Sequence, residues 1–351
     1  MQHCRLISDR QRFKSFSLHI HHMEEFLTKF IKNKADYKLS PEEEKALKFE
    51  GVGKFVFNKL NSTKYRAQAT SQDYLDKIAD KISLSINHNL PIHLTLPFGA
   101  TKNPYLVTAP GIDWGEVFDI AYIRDYLAPI AKAYKHGVIL EYISVAIFEE
   151  HVNRIPQKDV DLYDKEFTNL IKFYQDYIPK NLQLKYSRVS DSFDQKETNR
   201  LIDLKKDELR KNWNKQAKEV IERKLFRAKR NCVYDPNDKN LNTILLESAL
   251  GHDAFCSECW TTDSPPWDKK DMIALGHNYT SGWAIHVRST PGSSVNFWSG
   301  VGVLEQRGEK YIPTVLSPSQ YKEVSDKIKE IKATILESKF NKLKTVPVLP
   351  K

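Results

Sequence analysis

No stretch of the chain approaches the roughly eighteen consecutive apolar residues that a membrane-spanning helix needs, so a membrane protein of the helical kind is excluded. Cysteine is scarce: Cys4, Cys232, Cys256 and Cys259 are too few for a disulfide scaffold in 351 residues, which predicts a reducing, cytoplasmic setting. The opening MQHCRLISDRQRFK has no apolar core and is not expected to act as a secretory signal. Several catalytic signatures are missing as well. There is no GxGxxG after a strand, no P-loop, no GxSxG elbow and no HExxH, so nothing in the sequence supports a nucleotide cofactor. No internal repeat is detectable.

What is present is a folded, basic chain. Apolar residues make up 40% and charged residues 28%, with a formal net charge of +9, which fits nucleic acid, an anionic membrane surface or a phosphorylated small substrate as partner. Where the charge lies must separate the three.

Residues 1–70 are charged and irregular, with a helical piece around Met23–Lys32 and a second beginning at Ser40-Pro41-Glu42-Glu43, an N-cap followed by an N1 proline and an acidic first turn. The tract His19–His22 has no carboxylate or cysteine beside it and is read as incidental. From residue 72 the periodicity sharpens. Tyr74, Leu75, Ile78, Ile82 and Ile86 predict a helix over 72–87, Pro91–Phe98 a strand, Glu116–Tyr134 a helix closed by His136-Gly137, and Val138–Ser144 a strand buried on both faces. Asp159–Tyr177 follows as a helix and Leu182–Val189 as a strand. Strand, helix, strand, helix, strand implies a parallel sheet with right-handed crossovers. The expected fold is therefore α/β: a Rossmann-like core over 71–195, preceded by a mostly helical extension over 1–70. Residues 196–351 are expected to form a long charged helix and an α+β portion that completes the site.

In such a sheet ligands lie beyond the carboxyl ends of the strands. The first end opens into GATKNPYLVTAPGIDWGE, the second into SVAIFEEHVNR and the third into SDSFD. Asp113 and Glu116 stand three apart at a helix start, where the dipole favours acids; plain N-terminal capping is the competing reading. Lys102-Asn103 lies in a Pro/Gly-rich loop, placed to hold a phosphate or carboxylate or to form a Schiff base, or simply to make an exposed turn. Arg288 precedes Thr290-Pro-Gly-Ser-Ser294, an anion-binding turn by composition, or is an ordinary surface arginine.

The segment 196–230 offers Leu201, Leu204, Leu209, Trp213, Ala217, Val220, Ile221 and Leu225 for one buried face. Its basic end is a nucleic-acid candidate, with a solvated face of i,i+4 pairs as the reading preferred here. His252-x3-Cys256-x2-Cys259 has the spacing of half a zinc site, with Cys232, His277 or an aspartate as the fourth ligand. No second CxxC accompanies it, and no metal is assigned. Further on, Trp283–Ser289, Val295–Leu304 and Tyr311–Leu316 read as strands with a hairpin turn at 306–309. Tyr321, Val324, Ile328, Ile331 and Ile335 read as one amphipathic helix after Ser317-Pro318, and TVPVLPK as a frayed tail.

Taken together, LPF…NP…DWGE, then APIAKAYKHGVILEYISVAIFEEHVNRIPQKDVDLYDKEFTNLI, LQLKYSRVSD, AIHVRSTPG (284–292) and NFWSGVGVLE (296–305) resemble the isocyanide (isonitrile) synthase family of pyoverdine and dityrosine biosynthesis. The similarity spans about 96–305. The chain departs from the family's pattern at Ala100, where the pattern has a lysine, at Val145, where it has an acid, and at Ser299, where it has a histidine, so the resemblance implies a divergent member. It further implies a lyase-type enzyme that converts the amine of an α-amino acid, aromatic ones being those the family is best known for, into an isocyanide, with carbon from C2 of ribulose 5-phosphate and no cofactor. In that chemistry Lys102, Arg154 and Arg288 would bind anions, Asp113, Glu116 and Asp191 would move protons, and Asn103 would orient substrate. A downstream tailoring oxygenase is the partner implied. The competing expectations are a nucleic-acid-binding protein using the 205–230 helix, and a zinc-stabilised interaction protein that keeps the fold without the chemistry.

Overall fold

A computed structural model of the chain describes residues 21–32, 36–99, 101–191, 194–260, 268–277, 284–293, 295–336 and 340–351. The N-terminal part is helical. Helix α1 (21–32) is held at its C-terminal end by the buried Arg124, whose guanidinium donates to the Phe30 and Ile31 carbonyls, both at 2.6 Å. Helix α2 (Pro41–Leu60) starts at a reciprocal capping box between Ser40 and Glu43 and kinks at Gly51, whose φ is 77°. Helix α3 (Gln72–Asn87) covers the 72–87 periodicity and is capped by Ser71.

The βαβαβ expectation is met strand by strand: β1 (Ile92–Phe98), helix α4 (Trp114–Ala133), β2 (Val138–Ser144), helices α5 (Ala146–Asn153) and α6 (Gln157–Tyr174), then β3 (Leu182–Arg188). The three strands are parallel and in step, with Phe98 paired to Ser144 and Ser144 to Arg188, so their carboxyl ends finish at one level. After helices α7 (Gln195–Asn212), α8 (Lys218–Asn231) and α9 (Leu241–Trp260) the chain returns to the same sheet as β4 (Met272–Gly276) and β5 (Ile285–His286). The order β3-β2-β1-β4-β5 places the reversal of direction, where ligands bind in open parallel sheets, between β1 and β4.

A second sheet follows, built from β6 (Val301–Arg307), β7 (Lys310–Leu316), helix α10 (Pro318–Val324), β8 (Lys329–Lys332) and β9 (Thr345–Pro350), with strand order β7-β6-β9-β8. It packs on α4 through β6 and β7, while β2, β3, α2 and α6 touch α4 from other sides. That enclosure explains why α4 is buried over almost its whole circumference, Asp119 and Arg124 included. A helix apolar all round must be walled in all round.

Four local expectations are corrected. The 321–335 periodicity is not one helix: α10 stops at Val324, and Ile331 lies in β8. The 3–4 stepping of apolar residues is shared by a short helix followed by a turn and a half-buried strand. The tail TVPVLPK is not frayed, since β9 pairs with β6 on one side and β8 on the other. Residues 297–299 form a 3-10 turn before β6 rather than strand. Helix α4 ends in an extended Tyr134, and Gly137, at φ 79°, serves the turn into β2 instead of a C′ cap. The 196–230 segment is a helix pair, broken by a 3-10 turn at Trp213–Lys215. Among the described residues no helix is long and apolar enough to cross a membrane.

Candidate active site

A cavity of about 750 Å³ opens over the carboxyl ends of β1 and β2. Phe98, Gly99, Thr101 and Asn103 enter it from the first strand end, Val145 from the second, and Asn296, Trp298 and Ser299 from the turn before β6. The opposite wall is α8 and α9, with Arg223, Phe226, Arg227 and Arg230 on the first and His252, Phe255 and Cys256 on the second. The α8 residues step by 3, 1 and 3, one face of a helix. No aspartate or glutamate is among the described lining residues, and the charge they present to this space is positive.

Behind the wall lies a buried ion cluster. The Lys102 ammonium donates to Asp113 Oδ1 at 2.9 Å, to Glu116 Oε1 and Oε2 at 2.9 Å each, and to the Phe297 carbonyl at 2.7 Å. The Lys102 and Glu116 side chains are fully buried. Asp113 is the N-cap of α4 and Glu116 its N3 partner in a capping box, so the capping reading of this pair holds as geometry. Lys102 is what capping alone does not supply. Tyr163 adds a hydrogen bond to Glu116 Oε1 at 2.9 Å. The next residue, Asn103, donates to the Arg230 carbonyl at 3.1 Å, and the Tyr105 hydroxyl to the Cys232 carbonyl at 2.7 Å. The loop after β1 is thus nailed to α4 by Lys102 and clasps the C-terminal end of α8 by Asn103 and Tyr105. It sets where the arginine face stands relative to the sheet.

Two carboxylates share one ammonium, leaving an excess negative charge in a dry place. Burial pushes the Glu116 carboxyl up to about 8 against the pull of Lys102, with the repulsion of Asp113 adding a smaller push in the same direction, while the two carboxylates hold the Lys102 ammonium above its ordinary value despite burial. The folded protein therefore keeps the Glu116 proton between its ordinary value near 4.5 and about 8, where the unfolded chain has released it. Its stabilising contribution is complete below the ordinary value and is lost as pH climbs towards 8. In urea titrations from pH 5 to pH 8, Glu116→Gln should flatten the decline of the unfolding midpoint relative to the parent protein. Parallel declines would contradict this assignment.

A second buried polar group, of which the expectations named only His277, as a zinc ligand, joins α4 to the strands at the reversal point. Asp119 Oδ1 stands 3.0 Å from His277 Nε2, just after β4, and Asp119 Oδ2 accepts from the Tyr142 hydroxyl at 3.0 Å. His277 Nδ1 lies 2.8 Å from the Val287 carbonyl; a carbonyl only accepts, so Nδ1 carries the proton. Burial pushes Asp119 up, with His277 pulling the other way. The His277 ring also packs against Trp298, centroid to centroid 5.8 Å, which connects this group to the cavity wall. Asp119 sits mid-helix and His277 lies far along the chain, so only the fold brings them together.

Of the residues singled out from sequence, Lys102, Asp113 and Glu116 form the buried cluster and Asn103 reaches the cavity. Arg154, Asp191 and Arg288 lie apart. Arg154, exposed and at φ 58°, borders a second depression of about 420 Å³ with His151, Lys206, Asp238 and Glu247. Asp191 is exposed and accepts from the Arg188 backbone N–H at 3.0 Å, closing its own turn. Arg288 is exposed beyond β5, its charge felt by Tyr122 on α4. His252 and Cys256 both line the cavity, with Nδ1 and Sγ 3.4 Å apart. Burial and the cations Arg227, Arg230 and Lys224 push His252 down to about 3, Asp253 opposing, so this imidazole is neutral. Among the described residues no three histidine, cysteine or acidic side chains group as metal ligands; the Cys259 side chain lies outside them, as do Ala100 and the start of the His19–His22 tract. Cys232 is a buried free thiol, its Sγ directed to the Val233 carbonyl. Of the three departures from the family pattern, Val145 and Ser299 both line the cavity.

The nucleic-acid expectation drew on the basic end of α8. Much of the charge on α7 is spent in surface pairs, Arg200 with Glu197 at 2.6 Å and Arg210 with Glu247 at 2.6 Å among them. Arg223, Arg227 and Arg230 of α8 turn into a concave space instead of an open face.

No protein-family model and no curated protein matches the chain. Among solved structures it is similar to the PvcA protein from Pseudomonas aeruginosa, with a TM-score of 0.61 and 14% sequence identity over 85% of this chain and 100% of that one. At that identity the likeness establishes the fold: this chain is built on the same α/β architecture as PvcA.

Proposed function

We propose that the chain is an isocyanide synthase-like enzyme. It takes the nitrogen of an α-amino acid and a carbon from ribulose 5-phosphate, and the cavity over β1 and β2 is where the two meet. The observation that carries the reading is the cavity itself. It lies beyond the carboxyl ends of two parallel strands, the side of such a sheet on which ligands bind, one wall is cationic, and the other is aromatic through Phe98 and Trp298. The resemblance of the sequence between about 96 and 305 and the fold shared with PvcA support it independently of that geometry.

The reaction asks for no oxidant. The amine condenses with the C2 ketone and the oxygen leaves as water, carrying the two amine hydrogens. One C2–C bond then breaks with its electrons leaving on the sugar fragment, which takes up a proton. The other breaks with its electrons staying on C2 as the isocyanide lone pair, and that fragment departs as a carbonyl compound, releasing a proton. Carbon C2 keeps its oxidation level, and the site has only to hold two anions and move protons. In this reading Asn103 orients substrate, and the neutral His252 is a titratable group on the cavity lining. Lys102, Asp113 and Glu116 act from behind, fixing the loop that carries Asn103. Phe98, Phe226, Phe255 and Trp298 leave an aromatic-lined space that suits an aromatic amino acid.

Incubation with pooled amino acids and ribulose 5-phosphate, read by mass spectrometry, is the test. One amino acid should lose its two amine hydrogens and gain a carbon. If none does, the synthase reading fails.

A further inference from the structure

We infer that Arg223, Arg227 and Arg230 on α8 form a phosphate-monoester subsite, the part of the cavity that grips the sugar phosphate. The inference rests on the proposed reaction for the identity of the sugar, and on the structure alone for the anion.

Three guanidinium groups spaced at i, i+4 and i+7 enter one cavity whose described lining residues include no carboxylate. Arg223 is exposed and has no ion-pair partner among the described residues. Arg230 Nε donates at 2.9 Å to Asn231, a neutral partner. Arg227 reaches Asp253 at 2.9 Å, but Lys224 is paired to that same carboxylate, so a single acid answers two cations. The Arg227 Nε is buried without a hydrogen-bond partner, and desolvation, with Arg227 as the neighbouring cation, holds the Arg230 guanidinium below its ordinary value. Like charges gathered in a concave space are unfavourable until an anion arrives. A dianion with three equivalent oxygens is what three forked donors fit best, whereas the single carboxylate of an amino acid needs one. The clasp of Asn103 on the Arg230 carbonyl at 3.1 Å ties this anion grip to the loop after β1, so both halves of the cavity are set by one stretch of chain. The arginines missed the sequence reading because a basic, highly charged helix is usually a solvated face.

Isothermal titration calorimetry with ribulose 5-phosphate and with inorganic phosphate tests the subsite on the full chain. Arg223→Gln and Arg230→Gln should each weaken ribulose 5-phosphate binding by roughly tenfold or more, the worth of a charge-assisted hydrogen bond. Arg200→Gln, on the exposed face of α7, should leave it unchanged. Arg227 is left intact because it also holds Asp253. Thermal melting of each variant establishes that the fold is kept. The inference is overturned if the folded variants bind the sugar phosphate as the parent does, or if the parent binds neither phosphate. It is also overturned if a polynucleotide engages the arginines in a salt-dependent way while ribulose 5-phosphate does not. The two readings separate cleanly. Phosphate binding through these arginines without isocyanide formation keeps the subsite and removes the reaction. Isocyanide formation with an unchanged KM for ribulose 5-phosphate in both variants does the reverse.

Discussion

Lys102→Met should cost the protein about 3–5 kcal/mol of stability, the usual penalty for removing one partner from a buried ion pair. The substitution removes an ammonium that makes four contacts of 2.7–2.9 Å and leaves the Asp113 carboxylate beside the Glu116 carboxyl in a dry pocket with no cation. Methionine fills the space of the stem but answers neither acid. Against the 5–15 kcal/mol that typically holds a domain together, such a loss brings a marked fall in the urea midpoint or outright insolubility. The companion change Glu116→Gln should restore part of it, because one carboxylate remains and Asp113 Oδ1 keeps the Gly115 N–H at 2.6 Å and the Gly302 N–H at 3.3 Å. A Lys102→Met protein with a parental urea midpoint would mean that the cluster is not what holds the loop.

The second large effect is expected at Gly302, where β6 crosses the start of α4. A Cβ there would stand 2.0 Å from the Gly115 nitrogen and 2.3 Å from the Trp114 carbonyl carbon. Both are backbone atoms of a helix start that Asp113 and Glu116 already fix, so no side chain can rotate away. Gly302→Ala must push the second sheet off α4, breaking the Gly302 N–H bond to Asp113 and straining the Trp114 indole bond to the Thr345 carbonyl at 2.6 Å. Overpacking a tight core costs about 1–3 kcal/mol, and more where neither side can yield; this site belongs at the upper end. An unchanged urea midpoint in Gly302→Ala would show that the sheet and α4 are not docked as described.

Much of the first sheet was legible because each element there has one strong local signal. Val138–Ser144 is a mostly apolar run, broken by Glu141, between turn residues, and Tyr74, Ile78 and Ile82 keep strict helical spacing. The second sheet was harder. Strand β9 carries two prolines and owes its existence to pairing partners on either side, and β8 is too short for a period to declare itself. The site divided along the same line. Lys102, Asp113 and Glu116 lie within one loop and the helix it feeds, so their convergence follows from local order. Asp119 and His277 meet only because β4 inserts beside β1. The α8 arginines look like solvated charge until α9 and the loop after β1 close a cavity around them. Arg154, Asp191 and Arg288 stand at strand ends or beside turns, which made them attractive from sequence, yet their strand-end positions alone do not turn them towards the cavity.

The measurement that tests the account most directly is a turnover experiment with ribulose 5-phosphate carrying heavy carbon at C2 and a mixture of aromatic amino acids, followed by carbon NMR and mass spectrometry. The account predicts an isocyanide whose nitrogen comes from the amino acid and whose terminal carbon carries the label, with turnover lost or its KM for the sugar phosphate raised in Arg223→Gln and Arg230→Gln. Recovery of the label only in unchanged sugar phosphate, with every amino acid intact, would contradict it.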